Sequence, residues 1–486
     1  MAHPRAARLC RALLLVPVLL SSAACLSVPN LGERPQLRSP ETVDTQIDAP
    51  VAAPEAGWPD AAWWENYGDA QLSALIEAAL AGSPTMDEAA ARVRRAEAGA
   101  QQAGARLRPE LTGNASGGIA QQSTGSIDLP SGIDLPHQWH DNANVSLSLS
   151  YDLDLWGRNR AALRAALSDT EAARADLAQA RLTLSTGIAS AYGDLARLAA
   201  VRATAEAYLR IRGETLRTMQ AREGQGLENR GAVMRAEAGR AGAASDLAAI
   251  DEQIALTRNR IAALAGDGPA RGATIALPQA ARLDAFGLPA DLGIGLVGRR
   301  PDIVAARLRA VGQGARIDSA RADFYPNIRI SALIGLQALG IGNLLSGGAS
   351  YGSVGPAISL PIFSGGRIEG NYRGTRADYD AAVANYDRTL INALEDLADV
   401  AASQRALAIR LRESRAALSA SDTAFRMIEA RYRGGLATYL DLLSVEDALN
   451  TSRRGVAELE AMAFSLDVAL VRALGGGFRH APTPRA

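Results

Sequence analysis

The chain has 486 residues, with 51 basic and 52 acidic side chains and a formal charge of −1. That balance excludes the broad basic field expected of a nucleic-acid binder, so no nucleic-acid partner is expected. Lysine is absent and aromatics make up 5% of the chain. Abundant alanine with Leu, Glu and Arg favours helices that pack closely.

Residues 1–24 read as a secretory signal peptide. Arg5, Arg8 and Arg11 form a basic start, and Leu13 to Leu20 is an apolar core interrupted by Pro17. Ser21-Ser22-Ala23-Ala24 supplies small residues before Cys25. The core is too short to span a bilayer. A small-residue run ending at cysteine resembles a bacterial lipoprotein cleavage site, which makes Cys25 the expected lipidation site; Ser22 stands where such sites usually carry Leu. The alternative is ordinary cleavage near Ala24, leaving Cys25 as a free thiol. Cys10 leaves with the signal, so no disulfide framework and no cysteine metal site is expected. Residues 25–57 are Pro-rich and aperiodic and read as a tether.

Trp58, Trp63 and Trp64 precede a predicted helix from Gln71 to Ala81. Gly82-Ser83-Pro84 breaks the chain, and a second helix, Thr85 to Leu107, ends at Pro109. Leu111 to Ala120 is a Gly- and Ser-rich candidate strand, and Gln121 to His140 a loop. From Asn144 to Trp156 every odd position is apolar or aromatic and every even position up to Asp154 is polar. Period two puts one set on each face of a strand. The pattern fits a half-buried soluble strand, and equally a membrane barrel strand with lipid on one side and a wet lumen on the other. Beyond Gly157-Arg158 a helical stretch runs without proline to about Glu223, on the order of 100 Å at ~1.5 Å per residue. After Gly224–Gly226 a further helix reaches Leu264, where Gly266-Asp267-Gly268-Pro269 stops it.

The order then repeats. A helix from Pro301 to Phe324 ends at Pro326, a strand runs from Asn327 to Ile334, and its partner from Tyr351 to Phe363. A helix from Gly365-Gly366-Arg367 reaches about Tyr432, Gly434-Gly435-Leu436 breaks it, and a last helix runs to Leu474. Pro84 and Pro109 recur as Pro301 and Pro326, at an offset of 217 residues; Gly157, Gly226 and Gly266 recur as Gly366, Gly435 and Gly475, at 209. A longer loop in the first copy absorbs the difference. The chain is therefore read as an internal duplication: repeat 1 over 58–270, a linker over 271–292, repeat 2 over 293–475 and a tail over 476–486. Each copy is helix, hairpin, long helix, helix. The long helices carry coiled-coil rows: Leu177, Leu184, Ala191 and Leu198 beside Ile188 and Leu195, then Val383, Leu390 and Leu397 beside Tyr379, Tyr386 and Val400.

Four strands cannot close a barrel, because membrane barrels begin at about eight. An open edge in lipid leaves backbone groups unpaired at several kcal/mol each. If these strands sit in a membrane, chains must share a barrel, and the helices form a tube continuous with it.

At this point the chain resembles the TolC/OprM/NodT-type outer-membrane efflux proteins. The residues that carry the likeness are Trp63-Trp64 with Gly68-Asp69 and Leu72; Tyr151-Asp152-Leu153-Asp154-Leu155-Trp156-Gly157-Arg158; Arg299-Arg300-Pro301-Asp302-Ile303 with Ala305-Ala306; Asp323-Phe324-Tyr325-Pro326; Leu360-Pro361-Ile362-Phe363 with Gly365-Gly366-Arg367; and Arg431-Tyr432-Arg433-Gly434-Gly435-Leu436. The resemblance covers about Trp58 to Gly475. It implies a mixed α and β fold: a long coiled-coil periplasmic barrel of helices plus four strands per chain in a trimeric twelve-stranded transmembrane β-barrel. It also implies a homotrimer in the bacterial outer membrane, a periplasmic adaptor (a membrane fusion protein) and an inner-membrane pump, usually of the proton-driven resistance–nodulation–division (RND) type. The lipid anchor adds outer-membrane lipid to the partners.

In that family the turns at Gly226, Leu227, Gly435 and Leu436 meet the adaptor; the bland reading is that glycine only permits the turn. Family members narrow the tunnel just beyond, which singles out Tyr439, Asp441 and Ser444 in the second copy and Arg235 in the first, with Arg230, Thr438 and Glu446 nearby. Asp441 matches an aperture position; Ser444 stands where relatives often carry a second Asp. A ring of Asp441 around a three-fold axis would attract cations, while a solvated helix-surface Asp is the plain alternative. His137 and His140 have metal-like spacing but no supporting ligands, so no metal and no cofactor are expected. Asp152 and Asp154 are read as lining a lumen rather than as an acid–base pair. No nucleophile set is evident, and no catalysis is expected. The chain thus reads as a passive exit duct for drugs or other small molecules. The alternatives are a duct for an ABC-type (type I) secretion system, a lipid-anchored periplasmic coiled-coil scaffold, and a secreted hydrolase, which the missing catalytic set argues against.

Overall fold

The computed structural model describes residues 27–39, 58–121, 139–278 and 299–480. The signal segment, Cys25, His137 and most of the linker lie outside the described residues.

The elements run α1 (Ala70–Gly82), α2 (Pro84–Ala105), β1 (Glu110–Ala120), β2 (His140–Asp152), α3 (Arg158–Gly224), α4 (Arg230–Leu264), the short α5 (Pro269–Ala273), α6 (Pro301–Ala322), β3 (Asn327–Leu339), β4 (Ser350–Ser359), α7 (Arg367–Arg433) and α8 (Tyr439–Ala473). The duplication is visible in their lengths. α2 and α6 each have 22 residues, α3 and α7 each 67, α4 and α8 each 35. No helix among the described residues is long and apolar enough to cross a membrane. Two compact units are present, and each draws on both copies. One gathers the N-terminal residues to Gln36 with Arg94–Glu171 and Arg307–Ala384; the other gathers Leu37–Val93, Ala172–Ala306 and Asn385–Ala486.

The first unit holds an antiparallel sheet in the order β1-β2-β3-β4, so β1 and β4 are edges. The register sorts the faces. Leu111, Leu147, Leu149, Ala332, Ile334 and Val354 fall on one face through the pairs Leu111↔Leu149, Leu149↔Ala332, Leu147↔Ile334 and Ala332↔Val354. The other face carries Ser146, Ser148, Gln337 and Tyr351, with Asn144 Nδ2 donating to Tyr351 Oη at 3.0 Å. Leu111, Leu147, Ile334 and Val354 are exposed to a degree that a soluble half-buried strand avoids.

β2 ends at Asp152, earlier than the alternation to Trp156 suggests. Asp154 has a φ of 46°, a left-handed conformation that turns the chain. Its carboxylate accepts from the backbone N–H of Asn159 (2.8 Å) and Arg160 (3.0 Å), capping α3. Asp154 therefore does not line a strand face as expected; a side chain that caps a helix at a chain reversal mimics period two in sequence. Asp152 does lie on the polar face, accepting from Arg329 Nε at 2.9 Å. β4 likewise stops at Ser359 rather than Phe363, ahead of Pro361, which has no N–H for a ladder. β3 instead runs five residues beyond Ile334, to Leu339. In the same unit residues 27–36 run as coil along α6 and α7. Arg34 pairs with Asp318 at 3.0 Å and Tyr379 Oη donates to the Pro35 carbonyl at 2.9 Å.

The second unit has its core where the coiled-coil rows were predicted. Leu184, Ile188, Ala191, Leu195 and Leu198 pack with Trp63, Leu72, Leu75, Ile76 and Ile261. Tyr386, Leu390, Leu397 and Val400 pack with Ile303, Ala306, Leu470 and Leu474. Asp69 caps α1 through Gln71 and Leu72 N–H, and its second oxygen accepts from Tyr192 Oη at 2.7 Å. The buried Arg300 guanidinium bonds Asp302, Asp396 and the Ala473 carbonyl, joining α6, α7 and the end of α8. Arg299 lies over the Trp58 ring, 4.4 Å from its centroid.

Gly193 lets α3 approach α8: a Cβ there would sit 2.5 Å from Phe464 Cδ1. Gly193→Ala is expected to lower stability by about 1–3 kcal/mol through overpacking. Gly187, on the same helix, has nothing within 4 Å of the equivalent position, so Gly187→Ala is expected to be neutral or stabilising. Thermal unfolding of the two purified variants checks this, and equal melting temperatures would contradict the close approach.

Candidate functional site: the helix turns and the buried pair above them

Both long helices end in the same device. Gly226 (φ 72°) and Gly435 (φ 73°) adopt the left-handed conformation that follows a helix end. Leu227 N–H donates to the Arg222 carbonyl and Gly226 N–H to Glu223; Leu436 N–H donates to Arg431 and Gly435 N–H to Tyr432. These paired bonds satisfy the last carbonyls of α3 and α7. In such motifs the residue after the glycine commonly packs back onto the helix. Here it does not: Leu227 is 61% and Leu436 72% exposed. Two leucines thus project from duplicated, rigidly specified turns.

The next helices start just beyond. Asn229 Oδ1 accepts from Ala232 N–H at 3.0 Å and caps α4. Thr438 caps α8 in a reciprocal arrangement: its Oγ1 accepts from Asp441 N–H at 3.2 Å, while Asp441 Oδ2 accepts from Thr438 N–H at 2.9 Å and from Thr438 Oγ1 at 2.7 Å. These bonds to Thr438 hold the exposed Asp441 carboxyl below the usual range, so it is ionised at neutral pH. Tyr439 is buried with Met219, Val233, Ala236, Tyr432 and Leu442 in a small apolar cluster. Ser444 and Arg235 are exposed, as is Asp441. Of the four aperture candidates, three are therefore solvent-accessible in one chain and Tyr439 is a packing residue.

Sequence reasoning noted Glu446 without its partner. Arg212 and Glu446, with side chains 4% and 3% exposed, form an ion pair with Nε–Oε1 at 3.3 Å. Asp447 accepts from Tyr208 Oη at 2.5 Å and also from Arg212. Burial first, then the Asp447 bond, pushes Tyr208 up to about 12. Burial pushes the Glu446 carboxyl up to about 7, against the pull of Arg212. A cleft of about 280 Å³, lined by Ala203, Tyr208, Phe425, Glu446, Leu449 and Arg453, opens beside the pair. The row Leu198, Val201, Ala205, Tyr208, Arg212 carried the signal: a cation at a helical-core spacing demands a buried anion.

His140 stands in β2 opposite Ala120. No group of three His, Cys, Asp or Glu suited to a metal occurs among the described residues. The arrangement offers capped turns, an ionised carboxylate at Asp441 and a buried ion pair.

The pair has a pH signature. Glu446 holds its proton more tightly in the fold (about 7) than at its ordinary value of 4.5. A raised carboxyl contributes stability that is full below 4.5 and is lost as pH rises through about 7. Glu446→Gln is expected to remove that component, so melting temperatures of parent and variant should have different slopes over this window. Parallel slopes would show that Glu446 titrates normally.

The sequence profile of the family described as "Outer membrane efflux protein" matches residues 75–267 and 296–476. The multidrug resistance outer membrane protein MdtP of Escherichia coli (strain K12) is 30% identical over 473 residues, covering 95% of each chain. The outer membrane protein VceC of Vibrio cholerae superposes with a TM-score of 0.80 at 42% identity, over 87% of this chain and 100% of that one. The MtrE outer membrane channel of Neisseria gonorrhoeae gives 0.75 at 27% identity, over 94% and 99%. The exposed apolar face of the sheet fits the outer-membrane location that these proteins are named for. The chain belongs to the outer membrane efflux protein family and is an outer-membrane efflux channel, not an enzyme.

Proposed function

We propose that three copies of this chain form the outer-membrane duct of a tripartite efflux pump, passing drugs or other small molecules from the periplasm to the exterior. The observation that carries this reading is the sheet: one apolar exposed face, one polar face and two open edges on a four-stranded element. Three copies give twelve strands, enough to close a barrel. MdtP is named for multidrug resistance, which supports drugs as the cargo class. Cys25 is the proposed lipid anchor, holding the N-terminus at the membrane while residues 27–36 run down α6 and α7.

In this reading the exposed Leu227 and Leu436, with Gly226 and Gly435, dock the periplasmic adaptor, and an RND-type inner-membrane pump lies behind it. Leucine side chains fixed on capped turns lose little entropy on docking. Asp441, Ser444 and Arg235 surround the aperture, and Tyr439 packs behind them. The Asp441 carboxylate is ionised and exposed, so three of them about one axis favour cations and narrow the opening.

Planar-bilayer conductance tests the duct. The purified protein is expected to conduct with a small unitary current, and Asp441→Ala to conduct more and with weaker cation preference. Absence of any channel would reject the proposal; unchanged conductance and selectivity in the variant would remove Asp441 from the aperture. Leu227→Asp with Leu436→Asp should leave conductance intact and abolish drug resistance conferred in cells that supply adaptor and pump. Retained resistance would place the docking surface elsewhere.

A further inference from the structure

At the helix-side ends of the strands the chain forms a cleft that the duct does not use. It measures about 380 Å³, and its wall includes Trp156, Arg158, Asp323, Tyr325 and Arg367. Trp156 and Tyr325 stack with ring centroids 4.7 Å apart and planes 21° from parallel. Trp156 Nε1 donates to the Pro326 carbonyl at 2.8 Å, so the indole is fixed as a plate. A Trp–Tyr pair with one polar tether is the side-chain chemistry of a bilayer interface.

The surroundings run from apolar to cationic. Ile358 shares the apolar sheet face through its pair with Ile328. Beyond it Leu155, Ile362 and Phe363 are exposed, Phe363 at 89%. Around the cleft the charge changes sign. Arg158 is half exposed and only loosely paired, Nε to Asp323 Oδ1 at 3.4 Å. Arg367 is exposed, with no side-chain hydrogen bond or ion pair among the described residues. The Asp154 carboxylate is occupied by the α3 cap and by Arg160 at 3.2 Å. On the cleft wall two arginines therefore face one carboxylate, Asp323, that no helix cap occupies. Arg158 and Arg367 also open α3 and α7, the end at which a positive side chain opposes the helix dipole. An anion in the cleft offsets both penalties.

We propose that this cleft holds the phosphate of an anionic phospholipid, of the phosphatidylglycerol class, in the periplasmic leaflet. Arg158 and Arg367 bond the phosphate oxygens, the Trp156–Tyr325 plate lies against the glycerol and ester region, and Phe363 and Ile362 meet the acyl chains. Charge alone would accept inorganic phosphate; continuity with the apolar sheet face selects the lipid. The inference rests on the outer-membrane placement of the sheet and goes beyond the duct itself.

Native mass spectrometry of the full chain in neutral detergent tests it, with phosphatidylglycerol, phosphatidylcholine of the same acyl chains, and inorganic phosphate as separate probes. Phosphatidylglycerol is expected to be retained over phosphatidylcholine, with roughly a fivefold preference contributed by each arginine. Arg367→Gln should lose that share, while Arg367→Lys keeps most of it. Conductance should be the same in Arg367→Gln as in the parent, which separates a failed lipid site from a failed duct. Equal retention of the two lipids by the parent overturns the proposal. So does a preference that survives both Arg367→Gln and Arg158→Gln, or retention of inorganic phosphate equal to that of the lipid. Should one variant not assemble, the other variant and the parent comparison still decide.

Discussion

A strand edge inside hydrocarbon has no water to bond its N–H and C=O groups, and this single fact governs the molecule. β1 and β4 each pair on one side only. With 11 and 10 residues they turn roughly twenty backbone groups outward, since alternate residues of an edge strand point away from the ladder. At several kcal/mol per group the penalty reaches tens of kcal/mol, well beyond the ~5–15 kcal/mol that holds a domain together. Side-chain packing within one chain cannot offset it. Pairing with further copies removes it, and places every apolar strand face towards lipid at the same time. Strands of 10 to 13 residues are also long enough to cross a bilayer at a tilt.

Within each unit, built contacts fix how the elements meet. Each hairpin passes into a 67-residue helix through a built corner. At the first corner the reversal at Asp154 doubles as the cap of α3, and Trp156 ties the corner to the Pro326 carbonyl. Arg300 ties three helices of the second unit around one buried guanidinium. Its burial is tolerated because two carboxylates and a carbonyl surround it.

Much of this was legible in the sequence because it depends on local rules. The alternation from Val145 to Tyr151, the heptad rows through Leu184 and Leu390, and the recurrence of Gly226-Leu227 as Gly435-Leu436 each follow from the period or turn chemistry of a short stretch. The repeat was legible because glycines and prolines mark fixed backbone needs in both copies. Strand ends were less so. Asp154 and Leu155 continue the period-two pattern past the true end of β2, since a capping carboxylate and a strand-face carboxylate look alike in sequence. The least legible parts join residues far apart in the chain. Gly193 is needed because Phe464 lies against it, and Glu446 titrates high because the packed helices bury it, against the pull of Arg212 beside it. Neither partner leaves a trace near the other. Of the aperture candidates, Asp441 has a local signature as the third residue after the cap Thr438, whereas the burial of Tyr439 depends on Met219 and Val233 in the other copy.

The most direct measurement is the mass of the intact assembly, released from the outer membrane in mild detergent and weighed by native mass spectrometry. The edge argument predicts a species of three chains that persists on dilution, with no appreciable single-chain population. A stable single chain carrying the same sheet would contradict it, because its β1 and β4 edges would then be tolerated unpaired.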